Sequence, residues 1–380
     1  MMHGIYIHVP FCRNKCDYCG FFSVPIDRFS SSMQVPDSYV DRLIREIGER
    51  LAGRGIEADT IYFGGGTPSL LGTGQMRAIL RSINACAHIG AAAEITVEMN
   101  PEDVSRDKLA GFSGAGVNRI VLGVQTLSGR LHDIIGRSVG ICSADTLDMF
   151  FSAGGIQHCV DVMTGIPSQT DEEFYRDMDS ITAYRPAHIS AYLLSIEKNT
   201  PLGRNLSYAT DMEQGQLRFF ELTASLLAQR GYVRYEISNY AMPGCQSRHN
   251  MKYWMYSPYI GFGPGAHSFF DGARSSNALS VADYIHSVHT IIEYDVRTPE
   301  SAAVEYILTG LRLLSGFSIR QMEERLHYIL PQRVTDRIRE AQSDGMIIVS
   351  EDERGAFMRL SEKGLPLADR VIYRIVEALL

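Results

Sequence analysis

The chain has 380 residues, 45% of them hydrophobic and 21% charged, which is the composition of an ordinary globular protein of two or three domains. Its formal net charge of −8 argues against non-specific nucleic-acid binding, which needs a basic surface. No apolar run of about 18 residues occurs, so we expect no membrane span, although peripheral membrane contact stays open.

The first two-thirds of the chain alternates short apolar stretches with amphipathic ones. The predicted strands are rich in β-branched residues and bounded by Gly, Pro or Asn, and they cover residues 5–9, 60–63, 94–98, 119–124, 157–163 and 188–194. The predicted helices cover residues 37–51, 74–88, 105–114, 128–136, 143–153 and 171–184. Six strand–helix units in series predict an α/β fold with a parallel sheet, either an open doubly wound sheet or a partial barrel.

The pattern changes after about residue 200, which predicts three domains. We expect a first domain at residues 1–205, an α+β extension at 206–298 that lines the substrate site, and a C-terminal module at 299–380. The last module reads as helices followed by a small hairpin and is predicted to be winged-helix-like; its segments are 301–314, 318–328, 331–343, 346–350 and 357–361. No basic stripe marks its helices, so we expect a structural role in preference to DNA binding.

Three of the seven cysteines lie in the stretch HVPFCRNKCDYCGFF (8–22), at Cys12, Cys16 and Cys19. A disulfide framework is disfavoured by the odd cysteine count and by the lack of a signal-like segment before His8, so we expect a reducing, cytoplasmic location. A structural zinc site needs four ligands, and the other cysteines stand alone. Chance core cysteines are a weaker alternative. An iron–sulfur cluster fits best, with one iron left open for another ligand.

Unusual residues follow the predicted strands at their carboxyl ends, where parallel α/β folds bind ligands. The turn GGGTPS (64–69) follows the second strand, and Glu98, Gln125 and Asp161 end or lie within later strands, with Arg137 shortly after the fourth. A lone glycine turn is more often only a tight turn, and each polar residue alone is as easily a satisfied core group. Together they predict a site for ribose-like hydroxyls, an amine and a carboxylate.

These motifs resemble those of a known superfamily. The C-x3-C-x2-C motif with Tyr18 before its last cysteine, followed by GGGTP, resembles the radical S-adenosylmethionine (SAM) proteins. More closely, the chain is similar to the oxygen-independent coproporphyrinogen III oxidase-like family and its haem chaperone HemW branch; the matching segments are YIHVPFC (6–12), LGVQT (122–126), GR (136–137), D-x3-GIP-x-QT (161–170) and the C-terminal module.

The resemblance implies a partial (β/α)6 radical SAM barrel with a [4Fe–4S] cluster and SAM. Cys12, Cys16 and Cys19 would bind three irons, and the amine and carboxylate of SAM would bind the fourth. The implied SAM contacts are Gly65, Gly66 and Thr67 for the amine, Glu98 and Gln125 for the ribose, Arg137 for the carboxylate, Asp161 for the ribose or amine, and Tyr6 and Tyr18 near the cluster and adenine.

Two branches of this family differ in function. The dehydrogenase has a further cysteine where this chain has Phe21, and an N-terminal extension before its first strand. The stretch SRHNMKYW (247–254) resembles a HemW signature, and His249 is the resulting candidate for haem contact, with Tyr253 and Trp254 beside the porphyrin. The alternative is that these residues form a polar–aromatic corner of the fold. His267 is a second candidate.

We therefore expect a HemW-like haem chaperone that carries the cluster, SAM and haem as cargo, with haem-accepting proteins as partners. The alternative is the dehydrogenase that decarboxylates coproporphyrinogen III to protoporphyrinogen IX, and a radical SAM methyltransferase acting on a porphyrinoid is more distant. Monomer and dimer both stay open, and so does productive cleavage of SAM.

Overall fold

The computed structural model describes residues 2–137, 140–204, 212–286, 291–352 and 355–380. Its strands are β1 (His3–Val9), β2 (Phe11–Cys12), β3 (Val24–Pro25), β4 (Glu57–Gly65), β5 (His88–Met99), β6 (Arg119–Gln125), β7 (Gln157–Thr164), β8 (His188–Leu193), β9 (Val233–Arg234), β10 (Asn239–Ala241), β11 (Tyr259–Phe262), β12 (His267–Phe270), β13 (Ala273–Asn277), β14 (Ile291–Val296), β15 (Phe317–Ser318), β16 (Ile347–Asp352) and β17 (Gly355–Leu360).

The helices follow the predicted segments closely in the first half of the chain. They are α1 (Asp37–Leu51), α2 (Thr73–Cys86), α3 (Arg106–Ala115), α4 (Gly129–Ile134), α5 (Ala144–Phe151), α6 (Asp171–Ala183), α7 (Met212–Gln229), α8 (Arg248–Trp254), α9 (Val281–His286), α10 (Pro299–Gly310), α11 (Ile319–Leu326), α12 (Gln332–Ser343) and α13 (Ala368–Val376). Within the described ranges, no helix combines the length and the apolar character needed to cross a membrane.

The six predicted strands form the centre of one sheet. Strands β1, β4, β5, β6, β7 and β8 lie side by side in chain order, and each pair is parallel. Every crossover therefore moves one strand further in the same direction, whereas a doubly wound sheet reverses direction at a switch point. The predicted α/β fold and its partial (β/α)6 barrel are confirmed, with the carboxyl ends of all six strands at one rim.

Both edges of this sheet are extended by later segments of the chain. Strand β11 pairs in parallel with β1 and carries β12, β13 and β14, while β10 pairs antiparallel with β8 and carries β9. Residues of the predicted extension at 206–298 thus belong to the same sheet as the predicted first domain. The division of the chain into three domains stays a prediction.

Helix α1 is tied to the extension by a buried carboxylate. The side chain of Glu46 is fully buried and lies 2.9 Å from Nη1 of Arg50. Its oxygens also accept hydrogen bonds from Asn277 Nδ2 (2.8 Å), the Gly263 N–H (3.0 Å) and the Tyr284 hydroxyl (2.7 Å). Because these donors come from β13, from the turn after β11 and from α9, this one carboxylate joins three separate segments to the barrel.

Replacing Glu46 with alanine is expected to destabilise the fold by about 3–5 kcal/mol, since it leaves Arg50 and several buried donors without their acceptor. The matched control is Asp41→Ala on the same helix. Asp41 is exposed, so its loss should cost less than about 1 kcal/mol. Denaturant unfolding of the two variants measures the difference, and equal costs would contradict this role for Glu46.

The C-terminal region has a separate small sheet and its own core. Strands β15, β17 and β16 form an antiparallel sheet in that order. Helices α10 to α13 pack on it around buried side chains that include Ile307, Met322, Val334, Met358 and Ile372. The three helices and the two strands predicted for this region are present, and α13 was not predicted. The winged-helix-like description stays a prediction.

Candidate cofactor site

The three clustered cysteines follow β1 at the rim where the six parallel strands end. Cys12, Cys16 and Cys19 are half-buried and line a single cavity. In the ranges that the structure describes, no three His, Cys, Asp or Glu side chains are grouped closely enough to hold a metal ion. The three thiols border one shared space at this rim.

The three thiols of the cysteine loop have raised pKa values in the protein without metal. Burial raises the pKa of the Cys16 thiol to about 11, and the nearby Arg137 guanidinium opposes the rise. Burial also raises the pKa of Cys12 and of Cys19. Thiolates are the form that binds iron, so proton release must accompany metal binding at this site.

The glycine turn after β4 packs directly under the cysteine loop. The Gly66 N–H donates to the Val9 carbonyl (2.8 Å) and the Thr67 N–H donates to the Phe11 carbonyl (2.7 Å). Gly65 has φ +111°, and a Cβ there would lie 2.6 Å from Cε1 of His8. The turn is thus a tight turn and also a close approach between two backbone segments, which only glycine allows.

A salt bridge and a hydroxyl fix the two loops relative to each other. Arg13 from the cysteine loop lies 2.6 Å from Oδ1 of Asp103, which is in the turn after β5. Ser69 from the glycine turn donates to Oδ2 of the same carboxylate (2.6 Å). The hydroxyl of Thr67 also contacts Sγ of Cys12 at 3.5 Å. Asp103 therefore links the cysteine loop to the glycine turn.

Two predicted acidic residues, Glu98 and Asp161, line the cavity and have raised pKa values. Burial raises the pKa of Glu98 to about 7, although the Tyr62 hydroxyl, 2.7 Å from Oε1, opposes the rise. Burial likewise raises the pKa of Asp161 to about 6. Carboxyl groups with such values accept hydrogen bonds from ligand hydroxyls or donate them, depending on pH.

The raised pKa of Glu98 predicts a pH-dependent stability. Between the ordinary pKa of 4.5 and the folded value of about 7, the folded state binds more protons than the unfolded state, so stability falls as pH rises. In protein without added SAM, Glu98→Gln removes this contribution. We expect the thermal midpoint of the variant, relative to the unsubstituted protein, to be higher at pH 8 than at pH 5. A difference that does not change with pH would contradict the raised pKa.

Gln125, at the end of β6, and Arg137, shortly after α4, line the same cavity. Gln125 has φ +64°, an uncommon value for a residue other than glycine, and its Oε1 accepts from the Tyr192 hydroxyl at 2.5 Å. Arg137 donates through Nη2 to the Gly123 carbonyl (2.8 Å) and to Oδ1 of Asn100 (3.2 Å). The strained backbone and these bonds hold both polar side chains against the cavity wall.

The two predicted tyrosines have different positions. Tyr18 lines the cavity beside the cysteines. Tyr6 lies behind the wall, where its hydroxyl donates to Nδ1 of His8 (3.0 Å) while Nε2 of His8 donates to the Phe22 carbonyl (2.9 Å). Burial lowers the pKa of His8 to about 4, so the ring is neutral and supports the loop through these two bonds.

His249 belongs to the interior of the barrel. It is 1% exposed, and its Nδ1 lies 2.9 Å from the Thr60 hydroxyl and its Nε2 2.9 Å from the Tyr253 hydroxyl. The ring stacks on Tyr62 with centroids 5.2 Å apart, and burial lowers its pKa to about 3. In this structure both ring nitrogens are engaged. Haem contact by His249 stays a prediction that would require the ring to give up these bonds.

The other haem candidates lie on different elements, and His267 is close enough to His8 to help lower the pKa of that ring. His267 is exposed on β12. Trp254 ends α8, and the Arg312 guanidinium lies 4.8 Å from its ring centroid. His249 and Tyr253 are hydrogen-bonded to each other and Trp254 packs on Arg312, and haem contact by any of these residues stays a prediction.

Three residues at or near the site were not predicted from the sequence. Asn100 bridges Arg137 and Thr67, and its position right after β5 was the available signal. Tyr192 near the end of β8 bonds Gln125. Arg119 lines a second, larger cavity that adjoins the first and shares Tyr18, Cys19, Glu98, Val121, Asp161 and Tyr192 with it, among others. Arg119 is the first residue of β6, whereas ligand sites in parallel sheets are expected at the carboxyl ends of strands.

Comparisons with known proteins agree with this geometry. Residues 6–181 match the model of the Radical SAM superfamily. The chain is 36% identical to the "Heme chaperone HemW" of Escherichia coli K12, with 82% of this chain and 83% of that protein covered. It is 31% identical to the protein of the same name from Bacillus subtilis 168, with 92% and 94% covered.

A solved structure extends the agreement to the whole chain. Coproporphyrinogen III oxidase (HemN) from Escherichia coli, described as a radical SAM enzyme, superposes with a TM-score of 0.82 over 100% of this chain and 90% of that chain. The two sequences are 19% identical, so this likeness shows the fold alone.

Barrel, cysteine loop and glycine turn together define the radical SAM class, whose cofactors are a [4Fe–4S] cluster and SAM. Within that class, the chain belongs to the HemW family, as its identity to the Escherichia coli protein over more than four-fifths of both chains shows. The resemblance drawn from the motifs is confirmed.

Proposed function

We propose that this chain is a radical SAM-type haem chaperone, which holds a [4Fe–4S] cluster and SAM and binds haem for transfer to haem-accepting proteins. The observation that carries the proposal is the relationship to proteins named heme chaperone HemW over most of the chain. A cytoplasmic location is part of the proposal, because unpaired cysteines suit a reducing compartment.

The residues at the rim fit the cluster. Cys12, Cys16 and Cys19 line one cavity, and each would hold one iron. Gly66 makes room for the loop, because a Cβ on this residue would lie 3.0 Å from Sγ of Cys12. With no fourth cysteine in the loop, one iron remains for a ligand outside the protein.

The residues beyond the cysteines fit SAM. The N–H groups of Gly66 and Thr67 are already bonded, so their carbonyl oxygens and that of Gly65 are the groups we assign to the methionine amine. The assigned partners of the remaining groups are Glu98 and Gln125 for the ribose, Arg137 for the carboxylate, Asp161 for the ribose or amine, and Tyr18 for the adenine, with Tyr6 supporting the wall.

The reduced cluster, when bound, supplies an electron that can cleave the sulfonium of SAM. The chain's own residues orient the ligand and exclude water from it. Buried Arg137 supplies a fixed positive charge beside the cysteines, and Glu98 and Asp161 supply hydrogen-bond acceptors to the same cavity.

Phe21 favours the chaperone over the dehydrogenase. It occupies the position of the dehydrogenase's additional cysteine, and its side chain is 70% exposed beside the cluster cavity. A phenyl ring can neither bind iron nor take part in thiol chemistry, whereas an exposed aromatic group is suited to contact with a planar apolar ligand or a partner protein.

Two assays on the anaerobically reconstituted protein separate the functions. The first supplies SAM, a strong reductant and coproporphyrinogen III, and follows protoporphyrinogen IX by chromatography; we expect none. The second loads the protein with haem and measures transfer to an apo haem protein. Multiple-turnover formation of protoporphyrinogen would overturn the chaperone proposal, and so would a failure to bind haem at stoichiometric amounts.

The role of His249 needs a stability control. His249→Ala removes two side-chain hydrogen bonds and a stacked ring from the core, so it should lower stability by about 2–4 kcal/mol whether or not it binds haem. We therefore propose haem titration of His249→Ala beside Thr60→Val, which disturbs the same core and keeps the imidazole. Weaker haem binding in His249→Ala alone would support direct contact, and equal weakening would reject it.

A further inference from the structure

The interior of the barrel is filled unevenly. On the β1 and β4 side, Tyr6, Tyr62 and His249 stack on one another and occupy the space. On the β6, β7 and β8 side, the interior contains a cavity of about 670 Å³. This volume falls within the range of roughly 300–1,000 Å³ that is usual for small-molecule sites.

The cavity extends from the cysteine loop to the opposite end of the strands. Its upper part adjoins Cys19, Glu98 and Asp161. Its floor includes Arg119 and His188, which are the first residues of β6 and β8. Because alternate residues of a strand face one side of a sheet, Arg119 and Val121 point into the same space.

Arg119 is a buried cation with unused donors. It is 1% exposed, and its Nη1 donates to Oε1 of Gln157 (2.6 Å) and to the Cys245 carbonyl (3.3 Å). Its Nε and Nη2 have no hydrogen-bond partner among the described residues. Both nitrogens are themselves buried, and Arg119 is one of the residues that line the cavity. Buried guanidinium N–H groups without partners are costly, so their retention in a residue that lines a cavity points to a ligand.

His188 provides a second unused group on the same floor. It is 1% exposed, and its Nε2 lies 2.8 Å from the Tyr235 hydroxyl, whose oxygen accepts from the Ser247 N–H (3.3 Å). In the arrangement in which Tyr235 donates to Nε2, the neutral ring carries its proton on Nδ1. Nδ1 has no partner in the described part of the chain, so it is then a further donor.

The walls above this floor are mostly apolar, with Val121, Met163, Leu193 and Leu194 among the lining residues. Glu98 and Asp161 lie at the upper end, and the Oδ1 atom of Asn239 adds one acceptor. A ligand that matches this distribution has an apolar body and an anionic group that points to the floor, away from the upper carboxylates.

We propose that Arg119, assisted by His188, binds a carboxylate of the molecule that occupies this cavity. The guanidinium offers two N–H groups, the fork geometry that suits a carboxylate. In its specific form the inference rests on the proposed function: the molecule is haem, and the bound group is one of its propionates.

The test compares haem with haem dimethyl ester, in which both propionates are blocked, on the reconstituted full-length protein. Charge-assisted hydrogen bonds of this kind correspond to roughly 10–100-fold in affinity. We expect the ester to bind the unsubstituted protein more weakly by this factor. Arg119→Gln should weaken haem binding similarly and leave ester binding unchanged.

Arg234→Gln is the matched control. Arg234 is a half-buried arginine that also donates to backbone carbonyls, at Glu236 and Ile237, but it does not line the cavity. We expect this variant to bind haem as the unsubstituted protein does. If Arg119→Gln fails to fold, the comparison of haem with its ester on the unsubstituted protein still decides.

The outcomes separate the inference from the proposed function. If haem and its ester bind the unsubstituted protein equally, the floor is not a carboxylate site, although haem binding stands. If Arg119→Gln folds and weakens both ligands equally, Arg119 acts only on the structure, and the inference is wrong. If the unsubstituted protein binds neither ligand, the proposed function fails and the haem-specific inference fails with it.

Discussion

A Cys16→Ser variant is expected to lose the iron–sulfur cluster. Cys16 is one of three thiols around the rim cavity, and the chain offers no fourth cysteine in that loop to replace it. A serine hydroxyl ionises far less readily than a thiol and is a much poorer iron ligand. Burial already raises the pKa of the Cys16 thiol to about 11. A serine hydroxyl in the same buried place is a weaker acid than the thiol, so deprotonating it would take more of the free energy of iron binding.

The measurement is the iron and sulfide content after anaerobic reconstitution, which should be about four of each per chain before substitution and close to none after it. Cys245→Ser is the matched control, because Cys245 is also half-buried but lies away from the cavity. Full iron content in Cys16→Ser would show that the cluster is not held by this loop. Loss of iron in Cys245→Ser would show that reconstitution responds to general destabilisation.

A Gly66→Ala variant is expected to distort the site and lower stability. A Cβ at this position would lie 2.6 Å from the Phe11 carbonyl oxygen and 3.0 Å from Sγ of Cys12. The first neighbour is backbone, so it cannot rotate away. Moving it strains the Thr67 hydrogen bond to the same oxygen. We expect a cost of about 1–3 kcal/mol and a reduced affinity for both cluster and SAM.

Gly48→Ala is the control for this substitution. Gly48 lies within α1, and a Cβ there meets no atom within 4 Å, so alanine should stabilise the helix by about 0.4–1 kcal/mol. Denaturant unfolding and SAM binding by calorimetry measure both variants. If Gly66→Ala bound SAM as well as Gly48→Ala does, the glycine turn would have only the role of a tight turn.

The core of the fold could be predicted because its signals are local. Each central strand is a short β-branched run bounded by Gly, Pro or Asn, and four of the six helices between them, α3 to α6, begin after a Ser or Thr cap. The start of α6 is an example, since Thr170 and Glu173 form the capping box that their spacing suggests. Periodicity did not choose between barrel and doubly wound sheet, because that choice depends on the direction of each crossover.

The long-range parts of the structure could not be predicted in this way. Nothing in the stretch 259–262 indicates that it pairs with β1, which is more than 250 residues earlier. The same limit explains Glu46, whose partners Gly263, Asn277 and Tyr284 are scattered along the chain. A helical Glu with ordinary neighbours gives no sign in the sequence that it is fully buried.

Site residues could be predicted where a polar side chain stands at the carboxyl end of a predicted parallel strand. Glu98, Gln125, Arg137 and Asp161 line one cavity with the cysteines, as parallel strands require. Tyr6 differs because, as a strand residue, its side chain packs among Tyr62, His8 and His249 and does not reach the rim. The sequence did not indicate Arg119, because ligand sites in parallel sheets are expected at the carboxyl ends of strands and Arg119 lies at an amino end.

The pairing of β1 with β11 has a consequence for the order of assembly during synthesis. Strand β1, which leads into the cysteine loop, keeps an open edge until residue 262 has left the ribosome, because β11 covers that edge. Helix α1 gains its hydrogen bond from Tyr284 to Glu46 later still, after residue 284 has been synthesised. The emerging chain therefore carries an unpaired strand edge through most of translation, and we expect nascent chains that stall before β11 to aggregate or to bind chaperones.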